Sequence, residues 1–448
     1  MVKRIAGFPA VKPEAVGLSP KPFEAFRQDV RRETDELQCM SGAAHIVLHK
    51  GQCVFSCTEG WADRKRRVRF GLDTICKLHG NSKPLVQAAL LTLVDEGKVR
   101  LSDPVSKYIK FSSRVATGKQ GAAAKGTRKA KPEPTLRNLL TMTAGLGYEH
   151  TPAYKPVMKR VRSGEISDLT GLSDAIADLP LQAKPGSRYE YSFCTDIMGH
   201  VCEAVSGLPL DRFMERQLLK PLGMKDTHFV VPPQKRRRMA VLYDAQLKKP
   251  KAASGSPMFE LKPWSHPEKA PGIMSAGGGV LSYEDPGMLG TARDYAQFCQ
   301  MLLNDGVAPD GKRILKESTA RSIWADALAI YARSDGRLPG WNDADGPGTK
   351  GGFWDYTGCG LLHTHLVFDK APSGSGPPRR AHSMWMGGGG GTYWVADKSR
   401  GLACLSFTQA FGGRKGEEDG LGPRGNDVAP PAREAFDQGK VDAKKGRR

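Results

Sequence analysis

The most constraining stretch of the chain is Cys76-Lys77-Leu78-His79-Gly80-Asn81-Ser82-Lys83-Pro84 together with the helix it opens. Leu85, Val86, Ala89, Leu90, Leu93 and Val94 recur at i, i+1, i+4, i+5, i+8 and i+9, one wide apolar face at helical period. Pro84 suits a first turn, where its missing N–H costs nothing, and Gly97 suits the position past the end. The spacing therefore predicts a helix from about Ser82 to Glu96. Lys83 then stands in the first turn, at the positive end of the helix dipole. That is a poor place for a structural salt bridge and a good place for a base.

Composition bounds what surrounds this helix. With 448 residues, 39% hydrophobic and 25% charged, the chain can bury a large core as one domain or two lobes. It holds no run of about 18 apolar residues, and Met1 to Gly7 opens no hydrophobic signal core, so neither a membrane span nor a secretory leader is expected. The nine cysteines are odd in number and scattered, which fits free thiols in a reducing, cytoplasmic setting better than a disulfide framework or a zinc site. A net charge of +20 is concentrated in Arg64 to Arg67, Arg114 to Lys131 and Lys235 to Arg238, with no nucleic-acid motif beside them.

Along the chain, residues 1–19 read as an extension and about Lys21 to Leu37 as a first helix. Ala43 to His49 and Gln52 to Cys57, across Lys50-Gly51, read as a hairpin. Residues 111–132 turn to Gly, Ala, Lys and Arg, the composition of a flexible basic insertion. Strands are expected over Gly358 to Phe368, Thr392 to Val395 and Gly401 to Gln409. Residues 412–448 read as a loosely held, partly disordered polar tail with a short helix near Pro431 to Phe436.

Lys77 to Pro84 resembles, without a gap, the Ser-x-x-Lys segment of the serine β-lactamase, penicillin-binding protein and esterase superfamily, Arg-Ile-Ala-Ser-Val-Thr-Lys-Pro in its esterase-like branch. Gly60-Trp61-Ala62-Asp63, Asp73-Thr74, Thr135 to Leu146, Pro185 to Gly199, Pro221 to Thr227 and Thr291 to Phe298 are similar to further landmarks of the same family. Met386-Gly387-Gly388-Gly389-Gly390-Gly391-Thr392 resembles its third motif, with Met386 in place of a tryptophan. The resemblance covers about Pro20 to Gln409. It implies an α/β (α+β) β-lactamase/transpeptidase-like fold, an antiparallel sheet flanked by helices plus an inserted all-helical lobe. The domain would span 20–411, with the α/β lobe at about 20–80 and 275–411 and the helical lobe at about 81–274.

In that family a serine attacks an ester or amide carbonyl, lysine and tyrosine move its proton, and two backbone N–H groups hold the oxyanion. Carried across residue by residue, the lysine is Lys83 and the tyrosine Tyr191, but the nucleophile position is Gly80. The Gly80 N–H and the strand at Gly388 and Gly389 stand where the oxyanion donors would be. Ser82 cannot take over, because two helical positions turn a side chain about 200° about the axis. Phe193 replaces an asparagine of the tyrosine-type β-lactamases, which argues against dedicated β-lactam turnover.

Each group also has a plainer reading: Lys83 as a helix-start lysine, Tyr191 as a buried tyrosine, His79 as packing, Ser82 as a hydrogen-bonding helix start. His363 and His365 alternate along an expected strand without a third ligand, so no metal is expected, and no cofactor. Three functions remain: a catalytically impaired member that binds a small ester or amide in its cleft, a weak hydrolase using Lys83 and Tyr191 with water, or a basic scaffold for polyanions, centred on Arg114 to Lys131. No membrane partner is expected, and the oligomeric state is open. If Lys83, Tyr191 and the glycine strand are poised, Gly80→Ser should regain labelling by an acylating probe.

Overall fold

The computed structural model describes residues 5, 7–117, 126–247, 259–265, 275–278, 285–331, 357–367, 381–412 and 427–445. At its centre is the hairpin of β1 (Gly42–His49) and β2 (Gln52–Asp63), closed by Lys50 and Gly51, both with positive φ (+49° and +77°). That pair of left-handed residues is what a tight turn needs to follow the strand twist. On its other side β1 pairs antiparallel with Leu402–Thr408, Ala43 opposite Thr408. The sheet continues through Thr392–Asp397, Ser383–Gly388, His365–Val367 and Thr357–Cys359, and Val68–Arg69 closes the opposite edge. Every pairing in this eight-stranded sheet is antiparallel. The fold is thus the α/β architecture the resemblance implied, its sheet built from both ends of the chain.

Alternation along β1 explains the layers. Ala43 and Val47 face a cluster with Phe23, Phe26 and Val30 of helix α1 (Lys21–Arg31) and Val428, Ala429, Ala432 and Ala435. Ala44, Ile46 and Leu48 face the other way, onto Trp394, Leu405, Phe407 and the helix Ala292–Leu303. Helix α2 (Ser82–Asp95) is buried on all sides, from Ser82 through Leu93, because the helical lobe, including Cys194–Ser206, wraps around it. The wide apolar face read from sequence is only part of that surface; Gln87, for one, is buried with its amide donating to the Leu140 carbonyl at 3.4 Å.

Three expectations change. The expected strand over Gly358 to Phe368 is two short strands, Thr357–Cys359 and His365–Val367, folded against each other. The turn between them hydrogen-bonds Gly360 N–H to the Thr364 carbonyl at 2.9 Å and His363 N–H to the Gly360 carbonyl at 3.0 Å. Phe368 lies outside the described residues. In the basic insertion, Arg114–Thr117 and Gly126–Lys129 pair as a two-stranded ribbon, anchored where Ala116 N–H meets the Leu181 carbonyl at 2.8 Å; residues 118–125 lie outside the described residues. The polar tail holds a 17-residue helix, Ala429–Lys445, rather than a short one, because Val428, Ala429, Ala432 and Ala435 supply an apolar stripe that closes over α1. Among the described residues all nine cysteines are free and buried, and no helix is long and apolar enough to cross a membrane.

Candidate active site

Gly80 sits in a 3-10 turn, His79–Asn81, that leads directly into α2. The turn is pinned through Asn81. Its amide donates to the Thr392 carbonyl (3.1 Å) and hydroxyl (3.0 Å), its side-chain oxygen accepts from the Trp394 indole (3.2 Å), and its carbonyl accepts from the Tyr295 hydroxyl (2.9 Å). Ser82 faces away from the cleft, as helical rotation requires: its hydroxyl accepts Met288 N–H (2.9 Å) and donates to the Pro286 carbonyl (3.3 Å). His79 is buried with φ +46°, a conformation costly for a residue with a Cβ.

The glycine motif lies flush on this turn. Gly388 ends its strand opposite Thr392, and Gly391 N–H donates back to the Gly388 carbonyl at 2.9 Å with φ +86°, so Gly389 and Gly390 form a hairpin turn. Gly389 is therefore in the turn and not on the strand beside Gly80. The strand group nearest Gly80 is the Gly387 carbonyl: a Cβ on Gly80 would lie 2.9 Å from its oxygen and 3.6 Å from the Met386 methyl. A Cβ on Gly388 would lie 2.2 Å from the Leu78 carbonyl oxygen, and one on Gly390 3.0 Å from the His79 ring. The glycines permit a close approach, as their number suggested, but the partners are other parts of the chain itself: Leu78 for Gly388, Gln409 and His79 for Gly390, and Thr408 for Gly391.

Lys83 and Tyr191 do come together. Lys83 is 1% exposed, its amine donating to the Gly277 carbonyl at 2.8 Å and lying 4.5 Å from the centre of the Tyr191 ring. The contact is with the ring face, and among the described residues the Tyr191 hydroxyl makes no hydrogen bond. Tyr191 remains 38% exposed and is held edge-on by Tyr148 (5.3 Å), whose hydroxyl donates to the Gly278 carbonyl at 3.0 Å. Phe193 is fully buried against Tyr148 and Tyr154 and offers no polar group to the cleft.

Behind Lys83 stands a pair of buried carboxyls. Asp196 accepts from the Ser275 hydroxyl (2.8 Å) and Gly277 N–H (3.2 Å); burial pushes its carboxyl up, with the Lys83 charge pulling against it. Asp285 accepts from Gly287 N–H (2.9 Å) and Ser275 N–H (3.2 Å), and burial lifts it to about 7. Neither was singled out from sequence, although Asp196 lies inside the Tyr191 motif.

His363 was misplaced. As a turn residue, with φ +52°, it stacks parallel on Tyr189 (5.9 Å) and reaches Tyr191 (5.4 Å); burial, with the nearby Lys83 charge, holds its imidazole well below the usual range and so neutral. His365 stacks instead on Trp385 at 4.2 Å. The sequence signal was Gly360, where a Cβ would meet the Thr364 hydroxyl at 2.7 Å and the Ile323 carbonyl at 2.8 Å. No cluster of three or more His, Cys, Asp or Glu suited to a metal occurs among the described residues.

Tyr191 lies over a buried lysine and packs against Tyr148 and His363, and position 80 carries no hydroxyl or thiol. Residues 28–422 match the family model described as Beta-lactamase. An uncharacterized protein of Mycobacterium tuberculosis (strain CDC 1551 / Oshkosh) is 30% identical over 385 residues, 84% of this chain and 88% of that one. Esterase EstB of Burkholderia gladioli is 28% identical over 431 residues, 90% and 93% of the two chains. Among solved structures, EstCE1, a hydrolase with promiscuous acyltransferase activity, superposes with a TM-score of 0.65 at 20% identity, covering 93% of this chain and 98% of that one, a likeness of fold.

Proposed function

Because the chain belongs to the beta-lactamase family, we propose that it is a catalytically impaired member that keeps the family's cleft as a binding site for a small ester or amide. The observation that carries this reading is at Gly80: the nucleophile position has no side chain, and the Gly387 carbonyl stands 2.9 Å from where its first atom would be. An acyl-enzyme needs an oxygen or sulfur there. The esterase among the relatives supports an ester as the ligand class. Tyr191, Tyr148 and His363 would supply an aromatic floor, and the exposed Tyr191 face the contact surface.

A second reading rests on Lys83 and Tyr191 being neighbours, the amine 4.5 Å from the ring centre, and requires the amine to leave the Gly277 carbonyl. In it, Lys83 and Tyr191 activate a water instead of a serine, and turnover is slow and without a covalent intermediate.

The test is a panel of activated short esters and a chromogenic cephalosporin, followed in the pre-steady state, with intact mass measured after a phosphonate probe and ligand binding measured by calorimetry. The impaired reading expects no burst, no mass increase and measurable binding of an unreactive ester analogue. A burst or an adduct sinks it. Burst-free turnover that Lys83→Ala abolishes favours the water mechanism, because the residual rate of about 10³–10⁴ that binding and oxyanion donors give by themselves does not depend on a base. Absence of both turnover and binding removes the cleft from either account.

A further inference from the structure

A groove of about 520 Å³ opens where the chain near Leu101, the helix Leu136–Leu140, the Pro185-Gly186 turn and the 3-10 helix Ala329–Tyr331 meet. Hydrogen bonds fix these segments against one another. Arg137 N–H donates to the Leu101 carbonyl at 2.9 Å, and Gly186 N–H to the Thr143 carbonyl at 2.8 Å. The Asn138 amide donates to the Tyr331 hydroxyl at 3.1 Å. Gly186, with φ +76°, lets the Tyr331 ring come close, since a Cβ there would lie 3.0 Å from a ring carbon. Lys83, Tyr148 and Tyr191 do not line this groove.

Arg137 lines the groove half-buried, and among the described residues its guanidinium makes no hydrogen bond and no ion pair. Two half-buried arginines elsewhere show the contrast, Arg238 paired with Asp226 at 2.6 Å and Arg400 with Asp397 at 3.2 Å. Lys184, exposed on the same groove, is likewise without an ion pair among the described residues, and no aspartate or glutamate among them lines it. Burial raises the Tyr331 hydroxyl, while the Thr143 hydroxyl and the Arg137 charge pull it down, so that charge acts within the groove. A guanidinium presents its N–H donors in a fixed fork that a planar oxyanion satisfies two at a time.

The same groove carries apolar surface. Ile330 is 58% exposed and lines it together with Leu101, Pro185 and the half-buried Tyr331 ring. Cations alone would attract any polyanion. A nucleic-acid backbone would use them and leave the isoleucine in water. The volume instead lies within the range of small-molecule sites, about 300–1,000 Å³. An unpaired guanidinium and an aliphatic wall in one concavity of that size match an anion that carries an apolar body.

We propose that this groove is a second binding site, for a small oxyanion on an apolar body: a carboxylate or phosphate monoester whose charged group meets Arg137 and Lys184 and whose body lies on Ile330 and Tyr331. It goes beyond the cleft at Tyr191, with which it shares none of the residues that carry either argument.

The test is calorimetric titration of the full chain, at about 0.1 M salt where screening is moderate, with benzoate and phenyl phosphate as the two oxyanions and benzamide as the uncharged body. At least one oxyanion should bind about tenfold or more tighter than benzamide, the worth of a charge-assisted hydrogen bond, and the tighter of the two names the charged group. Arg137→Gln should lower that affinity about tenfold or more. Lys184→Gln, at an exposed side chain, should lower it about two- to fivefold. Ile330→Asp should lower it at least about tenfold, because apolar contact is lost and a like charge added. If Arg137→Gln does not fold, the two variants at exposed side chains decide. Equal affinity for benzamide, undiminished affinity in these variants, or no binding of either oxyanion tighter than about 1 mM would each overturn the proposal. So would a loss in Tyr191→Ala in place of Arg137→Gln, which would put the ligand in the cleft.

Discussion

A methyl group on Gly80 would lie 2.9 Å from the Gly387 carbonyl oxygen, and both groups are backbone, so neither can swing aside as a long side chain could. The space beside Gly80 is not open: the strand of the glycine run rests where a side chain at position 80 would begin. Gly80→Ala and Gly80→Ser should therefore both destabilise the protein, by roughly 1–3 kcal/mol, the usual cost of overpacking a filled site. Thermal or urea melts of the two variants check this, and equal stability to wild type would mean that the strand yields freely. Gly80→Ser is expected to label with an acylating phosphonate no faster than wild type, contrary to what an open site would give. The crowding, together with a Lys83 amine directed at the Gly277 carbonyl and the Tyr191 ring, leaves the new hydroxyl without its geometry. Rapid labelling read by intact mass would show the site to be poised after all.

The helix Ala429–Lys445 illustrates what an element can do that its composition hides. Its residues are polar overall, yet Ala429, Ala432 and Ala435 fall on one stripe that, with Val428, packs onto Phe23, Phe26 and Val30 of α1. Ala435 also lends its carbonyl to Ser19 N–H at 2.9 Å. Truncation before Asp427 should cost at least about 3 kcal/mol, since four buried apolar side chains leave the cluster and uncover their partners. A truncated chain that melts with wild-type midpoint and cooperativity would refute a structural role for this helix. The Gly360 to Thr364 turn acts at the same scale: it converts one expected strand into a hairpin and so brings His363 to Tyr191. Gly360→Val should lower stability by roughly 1–3 kcal/mol, because its side chain would meet the Ile323 carbonyl, and near-ultraviolet circular dichroism should report the altered tyrosine environment. An unchanged spectrum with unchanged stability would count against that turn as the anchor of His363.

For the whole molecule, buried titrating groups set the dependence of stability on pH. Asp285 titrates near 7 in the folded protein against 3.8 for the ordinary side chain, so the native state holds its proton longer than the unfolded chain does. Its contribution is present below about pH 4 and is lost as pH rises to about 7, amounting to at most about 4 kcal/mol. Asp294 and Asp427, each lifted to about 6 by burial, act with the same sign. His45 and His365, held near 3 by burial, act oppositely, losing stability as pH falls from 6.5 toward 3. Asp285→Asn should therefore gain stability relative to wild type between pH 4 and pH 8, by roughly 2–4 kcal/mol in urea titrations at the two values. A difference independent of pH would place Asp285 outside the titration. Residues contiguous in the chain were legible from the sequence by itself: the helix after Gly80, the hairpin across Lys50-Gly51, and the place of Lys83 in the first turn of that helix. Each of these follows from local period, from turn chemistry or from a short ordered motif. Tertiary structure alone decided that the Gly387 carbonyl fills the space in front of Gly80, that His363 joins Tyr191, and that Asp196 and Asp285 stand behind Lys83. It alone set Arg137, Lys184 and Ile330 around one groove. The physical reason is the same in every case: these contacts join segments far apart in the chain, and neither residue spacing nor composition carries the distance between two backbones once the sheet has closed.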